Sequence, residues 1–152
     1  MKRLFYLGVM AFMTCIISCS RTIYPSAEVN YLSGTEQTIS VRVVGVGTNE
    51  EQAIINAEQK VFDVLFFRGL PESQQKMPMV GSDESAEKSK NKKYFNQLYN
   101  GQRHKTFVMS SIPVSGLTKA KEGKSITVDV KINLSSLRSD LEKFGVIRKF
   151  GL

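Results

Sequence analysis

Thr38-Ile39-Ser40-Val41-Arg42-Val43-Val44-Gly45-Val46-Gly47 runs through Thr48-Asn49-Glu50-Glu51 into a long apolar segment that closes with Leu65-Phe66-Phe67-Arg68-Gly69-Leu70-Pro71. Ile39, Val41 and Val43 alternate with Ser40 and Arg42, the period of a half-buried strand. Gly45 and Gly47 interrupt the side-chain pattern, as at a bulge or where another backbone comes close. Thr48 has the chemistry of a helix N-cap, with Glu51 at capping-box spacing. Ala53, Ala57, Val61, Val64, Leu65 and Arg68 then follow helical spacing, and Ile54, Ile55, Phe62, Phe66 and Phe67 widen the stripe. A stripe that broad predicts a helix over 49–68 packed on a sheet. Gly69 suits the left-handed residue after the helix, and Pro71 forbids its continuation.

Outward toward the N-terminus the chain changes character. Lys2 and Arg3 precede the apolar run Leu4 to Ile17, which is too short to span a bilayer, where roughly 20 residues are needed. This is the pattern of a secretory signal over residues 1–18. Ile16-Ile17-Ser18-Cys19 resembles the lipobox of bacterial lipoproteins, with Cys19 as the lipidated residue; Ile17 stands where the commonest form has a small one. Cys15 and Cys19 are the only cysteines, so the domain beyond them holds no disulfide. The alternative is an ordinary cleaved signal. Ser20, not Asp, follows Cys19, which favours the outer membrane. Residues 19–37 read as lipidated N-terminus and tether, with a short strand possible in Val29 to Leu32, and 38–152 as a single domain. Twenty-one basic residues less Lys2 and Arg3 leave nineteen against fourteen acids, a mature charge of +5. That permits attraction to anionic envelope material. Secretion argues against a nucleic-acid partner.

Outward toward the C-terminus, Leu70 to Glu87 is a long polar connection that Met77, Met79 and Val80 could pin to the core. Tyr94, Phe95, Leu98 and Tyr99 predict a helix over 86–99 that stops at Asn100-Gly101. Lys105 to Val114 reads as a strand, with Phe107, Met109 and Ser111 on one side, Val108, Ser110 and Ile112 on the other, and an edge or bulge at Pro113. Gly116 to Lys124 is a basic turn. Ile126, Val128, Val130 and Ile132 alternate with polar residues, a strand over 125–133 antiparallel to the preceding one. Leu134, Leu137, Leu141 and Phe144 mark a last helix, about 135–144, closed by Gly145. The predicted fold is α+β and two-layered: a small antiparallel sheet (strands about 38–47, 105–114 and 125–133) with helices on one face.

No catalytic residue, cofactor or metal ligand set stands out. Glu50 occupies the place of the third glycine of a dinucleotide loop. His104, the single histidine, lies between Arg103 and Lys105 and reads as solvent-exposed. A carboxylate pair assembled in space would leave no trace in the sequence, so a hydrolase is carried as a remote alternative.

The Val41-to-Gly47 strand, the helix with Ala53 and Ala57, the Leu65-to-Pro71 run, Tyr94-Phe95 and Leu137-Arg138-Ser139-Asp140-Leu141 resemble a group of uncharacterised bacterial envelope lipoproteins. The strand–glycine–alanine-helix opening is similar to the N-terminal domain of the flagellar assembly protein FlgT, at the level of fold. The resemblance implies a fold and an address, not a site. The expected function is that of a lipid-anchored, non-enzymatic accessory or binding subunit of an envelope assembly, with another envelope protein as partner. The alternative is direct binding of anionic peptidoglycan, glycan or lipid head groups through Lys88, Lys90, Lys92, Lys93, Arg103, Lys105 and the Lys119–Lys124 turn.

Overall fold

The computed structural model describes residues 29–121 and 123–149. The leader, Cys19 and the first part of the tether lie outside the described residues. Five strands form one antiparallel sheet: β1 (Val29–Gly34), β2 (Thr38–Gly47), β3 (Val108–Pro113), β4 (Thr118–Ala120) and β5 (Gly123–Asn133). The order is β1-β2-β5-β3, with β4 also on β5. Four helices, α1 (Glu50–Phe67), α2 (Glu84–Lys90), α3 (Lys92–Tyr99) and α4 (Leu134–Lys143), and a 3₁₀ turn (Arg103–Thr106) complete the described fold. The architecture is the α+β one read from the sequence, with the apolar face of the sheet covered and the other face wet.

β2 and β5 pair over their whole length, Thr38 opposite Asn133 and Gly47 opposite Lys124. Alternation therefore puts Ile39, Val41, Val43, Ile126, Val128, Val130 and Ile132 on one face, and all are buried. Arg42 and Asp129 face each other on the wet side in a two-pronged ion pair at 2.7 and 2.8 Å. α1 lies across β2 and β5 and buries Phe62, Val61, Leu65 and Phe66. Removing a phenylalanine side chain from such a site costs about 3–5 kcal/mol. The two strand glycines make the contact possible, through close approach rather than a bulge. A Cβ on Gly45 would stand 1.9 Å from the Ala53 carbonyl oxygen, and one on Gly47 2.5 Å from the Ala53 nitrogen.

Several expectations need correction. Asn49, not Thr48, caps α1, its side chain accepting from the Gln52 amide at 2.9 Å. The short strand read in Val29 to Leu32 is present as β1 and pairs with β2, so the part of the tether segment from Val29 to Gly34 belongs to the sheet. The helix expected over 86–99 is two. Asp83 caps an earlier start, and α2 ends at Asn91, whose backbone and side-chain N–H groups both bond the Glu87 carbonyl, at 3.0 and 3.2 Å. Buried residues begin only after this break, with Tyr94 and Phe95. The left-handed residue beyond α3 is Gln102, not Gly101.

The strand expected from Lys105 begins at Val108, because residues 103–106 form the 3₁₀ turn. A bulge between Val108 and Ser110 breaks the alternation. Val108 and Ser111 consequently share the helix-covered side, opposite Ile132 and Val130. The basic turn holds strand β4.

The 70–87 connection is ordered by the end of α1. Met79 N–H donates to the Leu65 carbonyl, and Val80 and Gly81 N–H to that of Phe66. These are carbonyls that a helix end leaves without intrahelical partners. Met79 and Val80 pack on the core, whereas Met77 is exposed.

Candidate functional site

Polar side chains from different elements meet at three junctions that join α1, α2, α4 and the α3–β3 segment. The deepest joins four elements. Glu58 projects from the apolar stripe of α1, at helical spacing between Ile54 and Phe62. His104 comes from the 3₁₀ turn and is fully buried, contrary to the exposed histidine expected from its charged neighbours. Its Nδ1 is 3.0 Å from the Leu98 carbonyl oxygen, and its Nε2 is 3.2 Å from Glu58 Oε2. The Ser111 hydroxyl donates to Glu58 Oε1 at 2.6 Å.

A carbonyl only accepts, so Nδ1 carries a hydrogen. Burial works against the Glu58 charge. The hydrogen bonds from His104 and Ser111, with the positive charges of His104 and Lys105, outweigh it and hold the carboxyl below its ordinary range. Glu58 Oε2 faces the other ring nitrogen, so the carboxyl and the imidazole are joined inside the core. The carboxylate stands between the hydroxyl and the imidazole. A nucleophile relay needs the imidazole in the middle. Glu58 is already engaged by His104 and is a weak base toward Ser111. The arrangement suits holding α1, α3, the 3₁₀ turn and β3 together.

The second junction centres on Asp63. Tyr99 donates its hydroxyl to Asp63 Oδ1 at 2.6 Å, and Lys88 Nζ approaches the same oxygen at 3.0 Å and Glu84 at 2.8 Å. The ammonium also stands 4.9 Å from the centre of the Tyr99 ring and 5.3 Å from that of Phe67. Burial works against this charge, but the hydrogen bond to Glu84 and the charge of Asp63 hold Lys88 above its ordinary range. The third junction centres on Asp140, which accepts from the Tyr94 hydroxyl at 3.0 Å and from Arg103. The Arg103 guanidinium lies 4.4 Å from the centre of the Phe144 ring.

Lys88 and Arg103 are thus taken up internally among the cations read as a candidate anionic contact. Lys90, Lys92, Lys93 and Lys105 are exposed. An open groove of about 390 Å³ runs along α1, lined by Glu50, Glu51, Ile54, Ile55, Glu58 and Lys105. Among the described residues, no three His, Cys, Asp or Glu side chains gather as a metal site. Sequence reading missed Glu58, Ser111, Asp63 and Asp140. A signal existed for Glu58 alone: a charge on the buried stripe of a helix needs a partner. The chain matches no family model, no curated protein and no solved structure.

Proposed function

We propose that the protein is a lipid-anchored component of a bacterial envelope, held at the outer membrane through Cys19, and that it works by binding as an accessory subunit of an envelope assembly. The observation that carries the binding reading is the direction of its polar groups. Glu58, Asp63 and Asp140 each take two donors from other elements of the same domain. Groups committed in this way hold a scaffold in shape and are not poised for bond chemistry. The address rests on the basic n-region, the short apolar run and the position of Cys19, together with the resemblance to envelope lipoproteins. The similarity of the β2–α1 opening to the FlgT domain supports the fold of that group and carries no flagellar role.

The test has two parts. Mass spectrometry of the N-terminal peptide from membranes should show acylated Cys19, and an unmodified N-terminus would refute the anchor. Crosslinking in intact cells, then purification in detergent, should recover one envelope protein with the native chain and much less with Cys19→Ala. Repeated recovery of no envelope protein would refute the accessory role.

A further inference from the structure

We infer that the open face of the sheet is a contact between two copies of this chain, related by a twofold axis that runs along the strands between β2 and β5. This goes beyond the anchor and the accessory role proposed above and depends on neither.

The strand register separates the two faces. Side chains level with Ile39, Val41 and Val43 point to the helices, and every buried residue of the described strands is on that side. The other face carries Arg42, Val44 and Val46 of β2, opposite Asp129, Thr127 and Ser125 of β5. β3 extends these rows, with Ile112 beside Asp129 and the Val114 amide bonded to the Thr127 carbonyl. Ile112 (58% exposed) and Val114 (45%) are among the large apolar side chains that the domain leaves in water. Among the described residues, no side chain on this face is buried.

The composition of the face suits a contact better than open water. The chain has 21 lysines and arginines against 14 acids, yet of the paired positions on this face only Arg42, Asp129 and Lys131 carry charge. Depletion of charge marks the centre of an interface. The middle rows are valine, threonine and serine, short side chains that leave a flat surface. Such a surface packs on another sheet about 10 Å away, with the strands nearly aligned.

The charges select a second copy and its orientation. Arg42 and Asp129 stand side by side across β2 and β5, bonded through Nε and Nη2 at 2.7 and 2.8 Å. Their side chains remain 47% and 27% exposed. An axis along the strands carries β2 over the β5 of the second copy, so each Arg42 lies over the other copy's Asp129. The contact is reciprocal, as twofold symmetry requires. Each carboxylate oxygen accepts one bond within the chain and can take another, and a guanidinium has five donors. Lys131 is level with Ser40, so the same axis sets each Lys131 over a serine. An axis across the strands would instead stack arginine on arginine and aspartate on aspartate. The area is sufficient. Each strand residue covers about 16 Å² of sheet plane, so the five strands offer on the order of 600 Å² per copy. Two such faces clear the roughly 1,000 Å² of a specific contact, at its weaker end.

The experiment measures the mass of the purified full chain by sedimentation equilibrium, in density-matched detergent that keeps an acylated chain dissolved. The native chain should form a pair that dissociates in the micromolar range. Arg42→Asp sets two acids over two acids, and Asp129→Arg two cations over two cations, so each alone should weaken the pair at least about tenfold. Mixed together, the two variants are complementary again and should pair as the native chain does. Val44→Lys leaves the ion pair in place, sets a lysine over threonine, and should weaken the pair by about tenfold. Circular dichroism verifies the fold of each variant, and if either charge variant unfolds, Val44→Lys decides. A chain that stays single up to about 1 mM overturns the inference, whether the face is then bare or held by another protein. A pair that survives the substitutions also overturns it, because the contact then lies elsewhere. Folded single variants that fail to pair on mixing overturn the assigned orientation.

Discussion

His104 Nε2 lies 3.2 Å from Glu58 Oε2, and the pair ties the centre of α1 to the turn that leads into β3. Both side chains are buried. A buried hydrogen-bonded pair is costlier to halve than to replace whole. Glu58→Ala or His104→Ala should each destabilise the domain by about 1–3 kcal/mol, since the remaining polar group is buried without its partner. The paired replacement Glu58→Leu with His104→Phe should cost far less than the sum of the single losses. Urea unfolding of the three variants measures this. Simple additivity would show that the two side chains do not act as a couple.

The same couple sets an acid limit. A carboxyl held below its ordinary range contributes stability above its unfolded pKa and loses it as pH falls through the folded value. The native chain should therefore hold its full advantage over Glu58→Gln near neutrality and give it up on acidification. Urea midpoints at about pH 7 and about pH 3 read the difference. A gap that widens in acid contradicts the assignment of Glu58 as the ionised partner.

Gly45 should not accept any side chain. Its Cβ would overlap the Ala53 carbonyl and stand 2.8 Å from the Ala57 Cβ. Gly45→Ala must lift α1 from β2, at a cost on the order of 1–3 kcal/mol. Gly116, where nothing lies within 4 Å, is the control, and Gly116→Ala should leave the thermal midpoint nearly unchanged. Equal midpoints for the two variants would mean that the helix does not sit this close to the strand.

Tyr94 and Tyr99 should titrate late. Burial raises both phenols, and the neighbouring Asp140 and Asp63 carboxylates raise them further. Each stays neutral through the ordinary phenol range while the fold holds. Ultraviolet titration should show their ionisation coinciding with alkaline unfolding followed by circular dichroism. Tyr94→Phe and Tyr99→Phe should each remove one phenol from that late step. Ionisation of either well before unfolding would contradict the buried contacts to the two aspartates.

Local patterns were enough for the frame. The alternation in Ile39-to-Val43 and Ile126-to-Ile132, the broad stripe of α1 and the Gly69–Pro71 stop are repeats of one element's own geometry, and each stands where the pattern puts it. The apolar periodicity of a strand or helix is read by the residues that carry it, so nothing distant is needed. Tertiary contacts settled the rest. The bulge near Met109 depends on how β3 meets β5. His104 looked solvated because its sequence neighbours are charged. It is buried because Glu58, forty-six positions away, meets it across the layer between helix and sheet. Asp63 and Asp140 were silent for the same reason: a carboxylate acquires its meaning from the donors that folding brings to it, and those donors come from other elements.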